Sequence, residues 1–238
     1  MNYIEIIEKI MNEQNGVILS SDLNSYDIPR AYLSMMVQEG QIERAGRGIY
    51  LLPDTLEDEM YIMQRKYPNL IYSHETALFL HGLSDRTPFE NSATVPSGYK
   101  VVNNISEKFK IYYIKKDLHL MGVTEGKTTF GNSVQLYNVE RTVCDVLRSR
   151  NRMDIQIVTD ALKRAVKKNS LDYILLSEYA RRLDVEIFYT LIWRCFYERK
   201  CNEPESKDKK SVQGKECIST SHIAELYVRK VFRTTVKI

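Results

Sequence analysis

The chain has 238 residues, 43% apolar and 27% charged, which places it among globular proteins with room for one large or two small domains. Its 34 Lys and Arg stand against 31 Asp and Glu, a formal charge of +3, so wholesale coating of nucleic acid or membrane is excluded and any basic surface must be local. No run approaches the roughly 20 apolar residues of a membrane span. Met1-Asn2-Tyr3-Ile4-Glu5 carries acid within an amphipathic run and lacks the marks of a signal peptide, so a cytoplasmic protein is expected. The four cysteines, Cys144, Cys195, Cys201 and Cys217, fit no zinc or redox spacing and are read as reduced thiols.

In chain order, Ile4, Ile7, Ile10 and Met11 repeat at helical spacing up to the stop Asn15-Gly16, predicting a helix over about 2–14. Val17-Ile18-Leu19 is a short extended run, and Ser20 or Ser21 before Asp22-Leu23 reads as the cap of a short second helix. Pro29 then opens a third helix over 29–39, with Gly40 as its exit. Leu33, Met36 and Val37 share its apolar face, whereas Arg30, Ser34 and Gln38, at i, i+4 and i+8, share a polar one.

Residues 41–45 and 48–52 are extended runs flanking Gly46-Arg47-Gly48, a hairpin with a basic tip closed by Pro53. Three helices and a hairpin within residues 1–53 are the order of a winged helix-turn-helix. Its second motif helix enters the major groove in the usual docking scheme, so Arg30, Ser34 and Gln38 are the candidate base readers. Arg44 and Arg47 on the wing are placed to hold phosphate or probe the minor groove. Glu39 and Glu43 thin the charge margin, which predicts modest, steeply salt-dependent affinity for DNA.

Residues 54–69 form a helical connector. Ser73 is the predicted cap of a short helix that runs through His74 and His81 to the stop Gly82. Runs at 92–95, 109–114, 123–130 and 133–137 suggest a mainly antiparallel or mixed sheet, and helical patterns return at about 139–150, 155–168 and 171–183. The second domain, 70–192, is therefore read as α+β. Residues 193–238, rich in charge from Cys201 to Lys215, form an atypical tail expected to be loosely ordered.

Four constellations in the second domain invite chemistry. His74 and His81 lie seven apart, not at the i, i+4 spacing of a metal pair, and no Cys or carboxylate cluster completes a shell, so a core or capping role is expected and no metal is assigned. Asp117, Glu125 and Lys127 imitate half of a metal-dependent nuclease site, which keeps a DNA-targeted nuclease as the alternative function. Arg141 and Asp145, at i and i+4, suit a structural ion pair better than a phosphate site. Between 141 and 182 there are ten basic residues against five acidic; Lys163, Arg164, Lys167 and Lys168 repeat at helical spacing and are a possible second nucleic-acid patch.

Gly46-Arg47-Gly48-Ile49-Tyr50, Tyr72-Ser73-His74-Glu75-Thr76-Ala77-Leu78 through His81-Gly82-Leu83, and Glu140-Arg141-Thr142-Val143-Cys144-Asp145-Val146-Leu147, in that order, resemble the AbiE-type (AbiEi) antitoxins of bacterial type IV toxin-antitoxin and abortive-infection phage-defence pairs. The resemblance spans about residues 3–190. It implies a winged helix that represses the protein's own operon at inverted repeats in the promoter. It also implies a second domain that opposes a nucleotidyltransferase-like toxin without a stable complex. Neither catalysis nor a cofactor is implied.

Overall fold

A computed structural model describes residues 2–101, 108–168 and 171–186. The chain divides into two compact units, Met1–Ile71 with Glu125–Gln135, and Tyr72–Thr124 with Leu136–Ile238. The tail predicted from residue 193, with Cys195, Cys201 and Cys217, lies outside the described residues.

The first unit opens with α1 (Tyr3–Glu13). Its start is fixed by a reciprocal cap: the Asn2 side chain accepts from the Ile4 N–H, and the Glu5 carboxylate accepts from the Asn2 N–H, both at 3.4 Å. Ile7, Ile10 and Met11 form its buried face. After β1 (Val17–Leu19) comes a single 3-10 run, Asp22–Tyr26, where the sequence predicts a capped helix. Ser21 makes no cap bond there. The Asp22 carboxylate instead turns back to accept the Leu19 N–H at 2.9 Å and holds the Arg65 guanidinium at 2.5 Å.

Helix α2 (Ala31–Gln38) follows a first turn made by Pro29 and Arg30, whose carbonyls accept from Tyr32 and Leu33. Strands β2 (Glu43–Gly46) and β3 (Ile49–Leu51) complete an antiparallel three-stranded sheet, order β1-β3-β2, with a bulge between Arg44 and Gly46. Leu33 and Met36 join Ile7, Ile10, Met11, Ile18, Leu23, Ile28 and Ile42 in one core, with Val37 packed half-buried on its edge. Thus β1 is a full member of the wing sheet, which the sequence showed only as a short extended run.

Residues predicted to be a connector are bound into this unit. The Asp58 carboxylate caps α3 (Glu59–Lys66) through the Tyr61 N–H at 3.2 Å; it also accepts from the Thr128 hydroxyl at 2.5 Å and the Asn132 amide at 2.8 Å. The Gln64 amide donates to the Gln135 carbonyl at 2.8 Å and accepts its N–H at 2.6 Å. Arg65 adds a 2.9 Å bond to the Val17 carbonyl.

From Ile71 onward, β4 (Ile71–Tyr72), α4 (His74–Leu80), β5 (Asn91–Pro96), β6 (Phe109–Ile114), α5 (Lys116–His119), β7 (Val123–Lys127) and β8 (Ser133–Tyr137) precede three helices, α6 (Val139–Arg148), α7 (Ile155–Lys167) and α8 (Tyr173–Arg182). The sheet order is β6-β5-β4-β8-β7. Where a mainly antiparallel or mixed sheet is expected, β5 pairs with β6 and β4 with β8 in parallel. Parallel pairing of β5 with β6 excludes a hairpin turn between Pro96 and Phe109.

Every residue of α6 from Glu140 to Leu147 is buried. Its apolar side chains pack with Leu78 of α4, Val158, Ala161, Leu162 and Ala165 of α7, and Leu176 and Ala180 of α8. Burial, seconded by the neighbouring Asp145, pushes the Cys144 thiol up to about 12, as suits a core residue and not a nucleophile. Gly82 ends α4 at φ +64 as predicted. Ser73, however, makes no side-chain cap bond: its hydroxyl meets His74 Nδ1 at 2.9 Å and accepts from Thr94 Oγ1 at 2.8 Å.

The His74 ring is buried, stacked on Tyr112 with centroids 3.4 Å apart, and held through Nε2 to the Ser149 hydroxyl at 2.9 Å. Burial first, and then Lys110, Arg141, Arg152 and Arg148, hold its imidazolium form well below the ordinary value of 6.5. The unfolded ring gains a proton as pH falls below that value while the folded ring stays neutral. Stability from His74 is therefore complete above pH ~6.5 and declines in acid by up to ~1.4 kcal/mol per pH unit until the folded ring protonates. Urea unfolding of wild type and His74→Asn at pH 7.5 and 5.5 checks this. The acid loss is expected to shrink in the variant, and an equal loss in both would exclude His74 as its source.

Candidate nucleic-acid interface

Arg30, Ser34 and Gln38 are all exposed, on the side of α2 away from the buried Leu33 and Met36. Packing of the apolar face thus fixes which way the polar face points. At the wing, Arg44 and Arg47 are exposed as well, and the Arg44 Nε donates to the Gly46 carbonyl at 3.3 Å. Among the described residues none of Arg30, Arg44 and Arg47 is paired with a carboxylate. Their charge is free for an external anion.

The tip is built to one shape. Gly48 has φ +73, and a side chain there would meet the Ser20 hydroxyl at 2.7 Å, so only glycine lets the turn close onto the end of β1. The Ser20 N–H donates to the Gly48 carbonyl at 2.9 Å, stitching the tip to β1. From α3 the Lys66 ammonium reaches the Arg47 carbonyl at 3.5 Å and adds a third cation to the wing. Sequence reasoning missed Lys66 because it lies 19 residues from Arg47, with no local pattern to join them.

Residues 6–53 match a family model described as "Transcriptional regulator, AbiEi antitoxin". This segment is similar to the AbiEi antitoxin type of transcriptional regulator. The matched segment runs from the first turn of α1 to two residues past the end of β3. No curated protein matches the chain. A crystal structure of the RV2827C protein from Mycobacterium tuberculosis is 11% identical, with 76% of this chain and 79% of that chain covered and a TM-score of 0.42. No helix among the described residues is long and apolar enough to cross a membrane.

The remaining candidates lie outside the matched segment. His81 Nε2–H donates to the Tyr137 carbonyl at 2.7 Å, and both nitrogens of His74 are engaged as described. Among the described residues no group of three His, Cys, Asp or Glu is placed to hold a metal. Asp117 is exposed on α5 in the second unit; Glu125 and Lys127 are exposed on the segment assigned to the first, where the Ser133 hydroxyl donates to Glu125 at 3.3 Å.

Arg141 and Asp145 form the buried ion pair expected of them, Nε to Oδ2 at 3.0 Å with both side chains at most 4% exposed. Of the proposed patch on α7, Arg164 is engaged in a bidentate pair with Asp85, and Lys168 donates to the His81 carbonyl at 3.1 Å. Lys167 is exposed and Lys163 half-buried. Two of the four cations are thus already partnered within the fold.

Proposed function

We propose that the chain is a DNA-binding autorepressor and antitoxin without catalytic activity, working in the cytoplasm on inverted repeats in its own promoter. On this reading residues 1–53 are the DNA-binding domain, and the domain at 70–192 opposes a nucleotidyltransferase-like toxin without a stable complex. Arg30, Ser34 and Gln38 read base edges, while Arg44 and Arg47, joined by Lys66, hold phosphates. Lys163, Arg164, Lys167 and Lys168 are at most an auxiliary contact, weakened by the Asp85 pair.

The observation that carries this reading is the conjunction of an AbiEi-type regulator match over residues 6–53 with an exposed polar helix face and three unpaired arginines on that same segment. Gel-shift titrations against the promoter fragment and a scrambled duplex at two salt concentrations test it. Each phosphate contact contributes about 0.9 to the slope of log affinity against log salt, so Arg44→Ala/Arg47→Ala should flatten that slope by about 2 and weaken both duplexes alike. Arg30→Ala/Gln38→Ala should instead erase the preference for the promoter. Promoter binding that is unchanged by both double variants would refute the assignment. Co-expression with the toxin, using the wing variant, separates repression from rescue, since rescue is expected to survive loss of DNA binding.

A further inference from the structure

A cavity of about 320 Å³ opens in the second unit, lined among others by His74, Thr94, Tyr112, Arg148 and Arg152. It belongs to none of the DNA-facing surfaces described above. We propose that it binds a phosphorylated small molecule of mononucleotide size, its phosphate held between Arg148 and Arg152 at the mouth. The proposal does not rest on the autorepressor reading.

Charge comes first. Arg148 and Arg152 are exposed cavity-lining residues, and neither meets a carboxylate among the described residues. The one acid in the lining, Asp145, is buried and already neutralised by Arg141. The mouth is therefore doubly cationic, and guanidinium forks suit the oxygens of a phosphate.

The walls are held in place by stacking and hydrogen bonds. Arg152 stacks its guanidinium 4.5 Å from the Tyr112 ring centroid, on a residue whose ring is also stacked with His74. Lys110, paired with Glu75 at 3.1 Å, donates to the Arg152 carbonyl at 2.9 Å and ties the 3-10 turn Arg150–Arg152 to β6. The His74 ring fixes Ser149 just beyond α6, and His74 itself stands at φ +49, a left-handed conformation unfavourable for a residue with a side chain.

The interior is polar. Tyr112 is 4% exposed, and Lys110 stands beside its hydroxyl. Tyr113, half-exposed at the rim, offers an aromatic edge beside the arginines. The volume lies at the lower end of small-molecule sites and is too small for a folded polymer, which favours a free nucleotide over RNA.

The test is calorimetric titration of the full chain with the four ribonucleoside 5′-monophosphates, inorganic phosphate, the uncharged nucleosides and a short single-stranded RNA. Saturable binding of at least one monophosphate is expected, weakened at least ~10-fold by Arg148→Ala and by Arg152→Ala. Both arginines are exposed, and a circular-dichroism melt confirms that each variant is folded. Inorganic phosphate should bind more weakly than the nucleotide, and the nucleosides should not bind. Equal binding of phosphate and nucleotide, binding of RNA alone, insensitivity to both arginine changes, or no binding in any arm would each overturn the proposal.

Discussion

Arg141→Ala is expected to destabilise the second unit by about 3–5 kcal/mol, a large share of the 5–15 kcal/mol that a domain ordinarily has. The side chain is wholly buried, and it does more than pair with Asp145. Its Nη1 donates to the Leu118 and Met121 carbonyls at 2.9 and 2.8 Å, and its guanidinium carbon lies 4.2 Å from the Tyr137 ring centroid. The loop can come this close because Gly122, at φ +76, would otherwise place a side chain 2.9 Å from the Arg141 β-carbon.

Burial already pushes the Asp145 carboxyl up against the pull of Arg141. Removing the arginine leaves that acid without its counter-charge and leaves two carbonyls without a donor. The double variant Arg141→Met/Asp145→Leu should recover part of the loss, because replacing both charges by apolar groups removes the unpaired acid. Urea unfolding of the three proteins decides the matter. A double variant less stable than Arg141→Ala would mean that the pair is not what makes the position sensitive.

Leu33→Ala is the second large effect. Leu33 is 0% exposed at the centre of the first unit's core, and truncating such a side chain costs about 2–5 kcal/mol. The core it serves is small, so DNA binding should be lost on warming well before wild type loses it, although no candidate DNA contact is touched. Gel shifts at 10 and 37 °C would show near-normal binding cold and weak binding warm. Weak binding at both temperatures would mean that Leu33 shapes the bound geometry itself.

These expectations draw on parts of the molecule that were unequally legible in the sequence. The winged helix was readable because its signals are local: Asn15-Gly16, Pro29, Gly40 and Gly46-Arg47-Gly48 punctuate it, and 3.6-residue spacing separates Leu33 and Met36 from Arg30 and Ser34. The Arg141 and Asp145 pair was readable for the same reason, being one turn apart. What stayed hidden depends on distant pairings. The direction of β4 against β8 rests on a single residue pair, Tyr72 with Leu136, and no periodicity encodes it. Ser73 had the residue type and place of a helix cap, and only the fold shows its hydroxyl claimed by His74 and Thr94. Arg148 and Arg152 looked like members of a generally basic stretch until the fold placed them on one cavity beside Tyr112.

The bonds from Asp58 to Thr128 and Asn132, and from Gln64 to Gln135, have a consequence for biosynthesis. The winged-helix core can assemble as soon as its own residues have emerged from the ribosome, but α3 acquires these partners only some seventy residues later. Until then the Asp58 carboxylate and the Gln64 amide must be served by water. A nascent chain halted between residues 71 and 125 therefore presents a wing sheet whose supporting helix is only half secured, and its resistance to protease should rise in a distinct second step when residue 135 clears the exit tunnel.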